Sequence, residues 1–162
     1  MERFPRTYGN TLITVTATPT LDTSVYASGD VLHTADIQFN VGAHVGGTGY
    51  IVGLNVVDKD AQGSAGELWL FSAPLAGSYT ANAAWALSDA DAALCVGVIP
   101  FGSYFLGGTA GTLNQVSVNG TVRQAFTCGA QTTLLYGRLV TRGTPTYTAS
   151  GLIVNLFIER VD

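Results

Sequence analysis

The fold class of this chain is decided by residues 50–57, Tyr-Ile-Val-Gly-Leu-Asn-Val-Val, a strongly apolar run that ends at the turn residues 58–60, Asp-Lys-Asp. A short run of this kind, rich in β-branched residues and bounded by turn formers, is typical of a β-strand. The next run, residues 67–72, alternates leucines with two aromatic side chains, which places them on opposite faces of a second strand. Two such strands in succession predict a sheet rather than helices.

Short apolar runs separated by turn signals continue along the rest of the chain. Between two of them, Asn119-Gly120 predicts a hairpin, because both central residues of such a turn accept positive φ. Helix signals are confined to residues 81–94, where Ser88 is a candidate N-cap. We therefore predict an all-β fold, an antiparallel, jelly-roll-like β-sandwich, over residues 21–162. The further runs lie at residues 21–27, 31–41, 96–100, 113–118, 122–128, 133–141 and 152–161.

Residues 1–20 differ from the remainder, because they are rich in threonine and punctuated by proline and glycine. This pattern predicts an extended N-terminal arm with one strand near Leu12–Thr18. An uncharged edge strand invites pairing with another chain. We expect the arm to contact a neighbouring subunit through the side chains of Phe4, Arg6, Tyr8, Leu12, Ile13 and Val15.

The composition predicts a surface that other subunits cover. Hydrophobic residues make up 47% of the chain and charged residues 11%, against about a quarter charged in an ordinary soluble domain. The net charge of −4 argues against nucleic acid or a membrane as partner, since both select basic clusters. The opening residues lack the apolar segment of a secretory signal, and no apolar run is long enough to span a bilayer. We therefore expect synthesis in a cytoplasm.

Residues that could carry chemistry are few, and we expect no enzyme, cofactor or metal. No Gly-x-Ser-x-Gly motif is present. His33, Asp36 and His44 lie close in sequence, but strand alternation separates the first two, which favours two loop-flanking histidines over a zinc site. Residues 58–63 begin like a calcium loop but lack its bidentate glutamate, which favours a turn.

The two cysteines and the aromatic residues leave alternatives open. Cys95 and Cys128 have apolar neighbours and are expected to be reduced, buried thiols, while a disulfide between them remains an alternative. The aromatic rings either stack on sugars or fill the core and subunit interfaces, where such rings are enriched. The second interpretation is favoured because no cluster of acids and amides accompanies them. The expected oligomer contacts are Trp85, Tyr104, Tyr136, Arg142 and Tyr147.

Six segments of the chain resemble a family of small virion structural proteins of tailed bacteriophages. They are residues 28–30 (SGD), 46–52 (GGTGYIV), 56–62 (VVDKDAQ), 67–71 (ELWLF), 81–91 (ANAAWALSDAD) and 135–147 (LYGRLVTRGTPTY). The resemblance spans roughly residues 21–160 and implies a capsid cement or decoration protein on the head surface of the virion. Its implied partners are the major capsid protein and further copies of itself, as a homotrimer. It implies no catalytic residue, and a receptor- or glycan-binding module of a tail or fibre is the alternative.

Overall fold

The computed structural model describes residues 10–107 and 115–161, and within them the chain forms ten strands and one short helix. That helix, α1, spans four residues, and no helix in the described part is long and apolar enough to cross a membrane. The elements are β1 (Thr11–Ala17), β2 (Ile37–Asn40), β3 (Thr48–Asp58), β4 (Gly66–Phe71), α1 (Asp89–Ala92), β5 (Cys95–Phe101), β6 (Tyr104–Leu106), β7 (Gln115–Asn119), β8 (Gln124–Thr127), β9 (Leu134–Thr141) and β10 (Leu152–Val161).

The strands form two antiparallel sheets that pack face to face. The first sheet has the order β1-β10-β3-β7-β6, with β8 also paired to β3, and the second has the order β2-β9-β4-β5. The pairs β1·β10, β2·β9, β3·β7 and β4·β5 match early strands with late strands in nested order. A long antiparallel ribbon wrapped in this way is the connectivity of a jelly roll. The predicted all-β sandwich is therefore confirmed.

The core lies between the sheets and is built by strand alternation. In β3, Leu54 and Val56 point inward opposite Leu156 and Val154 of β10, and all four are fully buried. Leucines of the second sheet, including Leu68, Leu70 and Leu139, close the core from the other side. Truncating one such leucine to alanine costs about 2–5 kcal/mol, so this layer makes the domain a rigid body.

The predicted hairpin at Asn119-Gly120 is wrong. Both flanking strands pair with β3, β7 with residues 54–58 and β8 with residues 48–51, so the chain continues along one edge instead of reversing. Gly120 does not adopt positive φ, as a hairpin turn of the expected type would require. The eleven residues of β3 offer an edge long enough for both segments, and a short break between them is sufficient.

The predicted helical segment 81–94 is helical only at its end. Ser88 caps α1 as predicted, with its hydroxyl accepting a hydrogen bond from the Asp91 N–H at 3.1 Å. The alanines before it pair with another backbone segment: Ala83 C=O accepts from Val31 N–H, and Ala84 bridges Asp30. Tertiary pairing thus overrides the helical propensity of alanine here.

The predicted strand near Leu12–Thr18 is present as β1, and it pairs along its whole length with β10 of the same chain. Residues 11–17 of the predicted arm are therefore an edge strand of the first sheet. Residues 1–9, and with them Phe4, Arg6 and Tyr8, lie outside the described residues.

Candidate interaction surface

The outer face of the first sheet carries a row of apolar side chains that crosses four strands. The register places Phe105 of β6 opposite Val116 of β7, Val116 opposite Val57 of β3, and Val57 opposite Ile153 of β10. Phe105 is 68% exposed, and the other three side chains are partly exposed. We call these four residues the apolar row. Cross-strand neighbours of this kind present one continuous apolar strip to the outside.

The next positions along the same face mix apolar and polar side chains and carry no charge. Val118, which is 49% exposed, lies opposite Asn55, and Asn55 lies opposite Asn155 of β10. The Thr16 hydroxyl of β1 donates to the Asn155 side-chain oxygen at 2.7 Å. Further along, Phe157 of β10 lies opposite Gly53. The centre of the face therefore combines apolar and amide groups without a formal charge.

Charges on this face stand at its two rims. At one rim Arg123 contacts Glu159, with Nη1 and Oε2 3.3 Å apart, and its guanidinium lies 4.2 Å from the centre of the Tyr50 ring. Leu12 of β1, which is 70% exposed, lies opposite Glu159 of β10. At the other rim Lys59 Nζ donates to Ser150 Oγ at 3.4 Å. The surface between the two rims is neutral.

The second sheet differs, because residues 73–94, here called the strap, cover its outer face. Two side chains hold the strap. The first is Arg138 of β9, whose Nε donates to Asp36 Oδ1 at 2.7 Å and whose Nη1 donates to the carbonyl oxygens of His33 (2.8 Å) and Thr34 (2.5 Å). The guanidinium also lies 5.7 Å from the Tyr79 ring centre. This buried arginine joins a strand of the sheet to two loop segments.

The second is Asp91, which is buried although it belongs to the exposed helix α1. Its carboxylate accepts hydrogen bonds from the Tyr79 hydroxyl at 2.6 Å, from the N–H groups of Ala76 and Gly77, and from the Ser88 hydroxyl. These donors, the Tyr79 hydroxyl foremost, lower the pKa of Asp91 to about 2. A carboxylate that remains ionised above that pH keeps the strap folded onto itself.

Aromatic rings complete the contact between strap and sheet. The Trp85 ring lies 5.7 Å from Trp69, 6.3 Å from Phe71 and 4.8 Å from Tyr79, measured between ring centres. The indole N–H of Trp85 is buried and has no hydrogen-bond partner among the described residues, so packing alone holds this ring. The predicted oligomer contact Trp85 thus serves mainly to dock the strap.

Two other predicted oligomer contacts are corrected by burial. Tyr136, 8% exposed, and Tyr147, 2% exposed, pack within the chain itself, so neither offers a ring to another subunit. Tyr104 is partly exposed, but its ring packs against the core and its hydroxyl donates to the Ser64 carbonyl at 2.9 Å. Arg142 does lie at the surface, where it makes two hydrogen bonds with Glu67, at 2.9 and 2.6 Å.

The predicted arm contacts divide by strand face. Leu12 points outward from β1 and is available to a neighbour. Ile13 and Val15 point inward, pack against the core and are only partly exposed. That these two contact another subunit stays a prediction.

The residues weighed as metal ligands have structural partners. His33 is buried; its Nδ1 lies 2.7 Å from the Ala35 carbonyl, and its Nε2 accepts from Leu139 N–H. Asp58 accepts from the N–H groups of Asp60 and Gly63, as a turn former does. Burial raises the pKa of the Asp58 carboxyl, and the hydrogen bonds that it accepts from backbone N–H groups oppose this shift. Within residues 10–107 and 115–161, no three His, Cys, Asp or Glu side chains form a group that could hold a metal ion.

An open groove of about 540 Å³ lies where the two sheets part, between residues 17–22 after β1 and residues 33–38 before and within β2. Threonines, aliphatic residues such as Leu21 and Ile37, and the acidic residues Asp22 and Asp36 line it, and among the described residues no tyrosine, tryptophan or phenylalanine does. Asp36 is already paired with Arg138. The groove thus lacks the aromatic platform on which a sugar ring would stack.

The apolar row itself was missed by sequence reasoning, although a signal for it existed. In residues 50–57 and 152–158 the outward positions are apolar as well as the inward ones, apart from Asn55 and Asn155. An antiparallel strand with one solvated face alternates apolar and polar residues, so apolar residues at both parities indicate that both faces are to be covered. Here the core covers one face, and nothing in the described part of the chain covers the other.

Comparison with known proteins adds no relative to this picture, because no family model and no curated protein matches the chain.

Proposed function

We propose that this chain is a structural protein of a tailed-bacteriophage virion, a cement or decoration protein that binds the major capsid protein and stabilises the head. The single observation that carries the proposal is that a rigid jelly-roll body presents an unprotected edge at β1 and an outer sheet face with charges only at its rims. A surface of this kind exposed to solvent marks a site of protein association. The sequence resemblance described above supplies the identity of the assembly.

The proposed mechanism is cross-bridging by many weak contacts. A decoration protein that touches several capsid subunits at once makes its later contacts at high effective concentration, so modest individual affinities add up. Expansion of the shell would then have to break many contacts together. The rigid core supports this role, because a body that does not deform transmits load between the subunits it joins.

The edge of β1 is the proposed contact with the capsid protein. Among the described strands β1 pairs with β10 alone, so its other edge has N–H and C=O groups that no described strand pairs with. The chain has no charged residue from 11 to 21, and β1 contains none of the lysines, prolines or bulges that protect natural edges. An extended segment of the capsid protein could add to this edge through main-chain hydrogen bonds.

The test uses the phage whose genome encodes the chain, with the gene intact and deleted. We expect the protein in purified virions, and we expect deleted particles to release DNA at lower temperature than intact ones. Purified protein added back should co-sediment with deleted particles and restore their heat resistance. Absence of the protein from virions, or particles that are indifferent to it, would refute the proposal.

The same experiment separates the alternative function. Antibody-labelled electron micrographs of intact virions should show the label on the head. Label on the tail or fibre would instead favour the receptor- or glycan-binding module. Inside the chain, the aromatic rings that such a module needs are largely committed to packing: Tyr26, Tyr79, Tyr136 and Tyr147 are buried.

A further inference from the structure

We infer that the outer face of the first sheet is the docking surface for a second copy of this chain. The inference deepens the proposed function, on which it rests, by naming the subunit that covers the uncovered face. It leaves the edge of β1 to the capsid protein. The two contacts thus use different parts of the chain and can be tested separately.

The apolar row supplies the attraction. Phe105, Val116, Val57 and Ile153 lie side by side across four strands, and Val118 extends the strip at its exposed end. When two copies pack against each other through this face, these side chains are removed from water in both copies. A surface that pairs with itself is also the commonest route to a symmetric oligomer, because each favourable residue contributes twice.

The charge distribution selects another copy as the partner. The chain carries a net charge of −4, so two copies repel each other over most of their surface. Of the nine carboxylates that the structure describes, only Glu159 stands at an outward position of the first sheet, and Arg123 pairs with it. This face is therefore where two copies approach with the least repulsion. A strongly charged partner protein would meet no opposite charge at the centre of this face.

The size of the face agrees with an oligomer contact. Five strands about 4.8 Å apart and about six residues long give a projected area of roughly 450 Å². This is a little over half of the roughly 800 Å² per partner of a standard interface, which fits a weak contact between copies. We expect association that depends on protein concentration.

Among the described residues the outer face of the second sheet is exposed mainly along its edge strand β5, where Val98 is 39% exposed, whereas the outer face of the first sheet has no covering segment at all. The strap packs on the outer face of the second sheet through Trp85 against Trp69 and through Tyr79 against Arg138, and Asp91 holds the strap in its own fold. The first sheet has no such covering segment in the described part of the chain. The two sheets thus have different roles, one closed by its own chain and the other available to a neighbour.

The test measures the mass of the purified protein by analytical ultracentrifugation over a series of concentrations, without capsids. We expect the wild-type chain to form dimers, because a face that pairs with itself makes a twofold contact. Val57→Lys, at the centre of the face, should raise the dissociation constant by roughly tenfold or more. Val25→Lys is the matched control, because Val25 is 63% exposed in a loop, and it should associate like wild type.

A second variant guards against misfolding. Phe105→Glu changes a side chain at the exposed edge of the sheet, so it should preserve the circular dichroism spectrum and thermal unfolding while weakening association. A wild-type chain that is monomeric at every concentration would overturn the inference, as would oligomers that survive in both face variants. A monomer that still co-sediments with capsids would overturn this inference alone. An oligomer that ignores capsids would overturn the proposed function and leave this inference standing.

Discussion

The backbone N–H of Leu139 donates a hydrogen bond to Nε2 of His33, with 3.0 Å between the two nitrogens. An Nε2 atom that accepts a hydrogen bond carries no proton, and Nδ1 points its proton at the Ala35 carbonyl 2.7 Å away. The ring is therefore held neutral. Burial lowers the pKa of His33 to about 4; the Ala35 hydrogen bond opposes this shift, and the nearby Arg138 charge adds to it.

The first prediction is a loss of stability in mild acid that depends on His33. Its ordinary pKa of 6.5 applies to the unfolded chain, so protons bind the unfolded state more readily at intermediate pH. The stabilisation is complete above about pH 6.5 and disappears as the pH falls toward 4, a total of about 3 kcal/mol. Urea unfolding at a series of pH values should show this slope in the wild type.

His33→Gln keeps a neutral side chain that can accept from Leu139, but it does not titrate. Its unfolding free energy should be lower at pH 7 and flatter between pH 6.5 and 4. His44→Gln, at an exposed loop position, should retain the wild-type slope. Equal slopes in wild type and His33→Gln would contradict the assignment.

The second prediction concerns the buried ion pair between Arg138 and Asp36. Arg138→Met removes the guanidinium and leaves a carboxylate and two carbonyl groups without their donor. Breaking a buried pair in this way costs about 3–5 kcal/mol of unfolding free energy. Arg142→Met is the control, because the Arg142–Glu67 pair lies at the surface and is expected to contribute only about 0–1 kcal/mol. Similar losses in both variants would show that Arg138 does not anchor the loops.

The third prediction concerns the strap and its anchor Asp91. Asp91→Asn puts an amide N–H where the carboxylate now accepts from backbone N–H groups, so the strap should loosen. Trp69 and Trp85 are the only two tryptophans of the chain, and both lie at the contact between strap and sheet. Their fluorescence should therefore shift to the red, and the strap should be cleaved faster by protease.

Asp89→Asn is the matched control for this substitution, because Asp89 lies in the same helix and is exposed. It should leave fluorescence and cleavage close to wild type. Since the pKa of Asp91 is lowered, its contribution to stability is present above about pH 4 and is lost as the pH falls toward 2. An unchanged emission spectrum in Asp91→Asn would show that the strap does not depend on this carboxylate.

The fourth prediction concerns the thiols, which the structure shows to be free rather than bridged. Burial raises the pKa of both Cys95 and Cys128, so little thiolate is present at neutral pH. Iodoacetamide should modify Cys95 slowly, because it is partly exposed, and should reach the buried Cys128 only after unfolding. Mass spectrometry of the folded and urea-unfolded protein measures this order. Rapid labelling of Cys128 in the folded state would contradict its placement in the core.

The sequence predicted those features that depend on short-range patterns. Apolar runs and turn residues give the strands and the sandwich, and the Ser88 cap follows from the hydroxyl that a helix start requires. The hairpin at Asn119-Gly120 failed because turn propensity does not reveal that the long strand β3 pairs with both flanking segments. The alanines of the strap failed as a helix because residues 30 and 31 compete for their backbone.

The interaction surface was harder to predict, because composition identifies aromatic residues without showing which way they face. Tyr136 and Tyr147 were expected at an oligomer contact and are buried. The apolar row lies on four strands that are distant in sequence, and only the register brings its members together. The apolar residues at both alternate positions of β3 and β10 were the available signal, but they do not reveal the register that brings the four strands together.

The fifth prediction separates the arm from the domain with two deletions. Removing residues 1–9 leaves β1 intact, so the unfolding free energy should stay near the wild-type value. Removing residues 1–20 also takes away β1, its seven paired positions on β10, and the inward side chains of Ile13 and Val15. Loss of that apolar burial should lower the unfolding free energy by up to about 3 kcal/mol per side chain, the value for full burial, and both side chains are partly buried. The longer deletion also exposes the edge of β10 and should promote aggregation.

Equal stability of the two truncated proteins would show that β1 is dispensable to the sheet, and would return residues 11–17 to the arm.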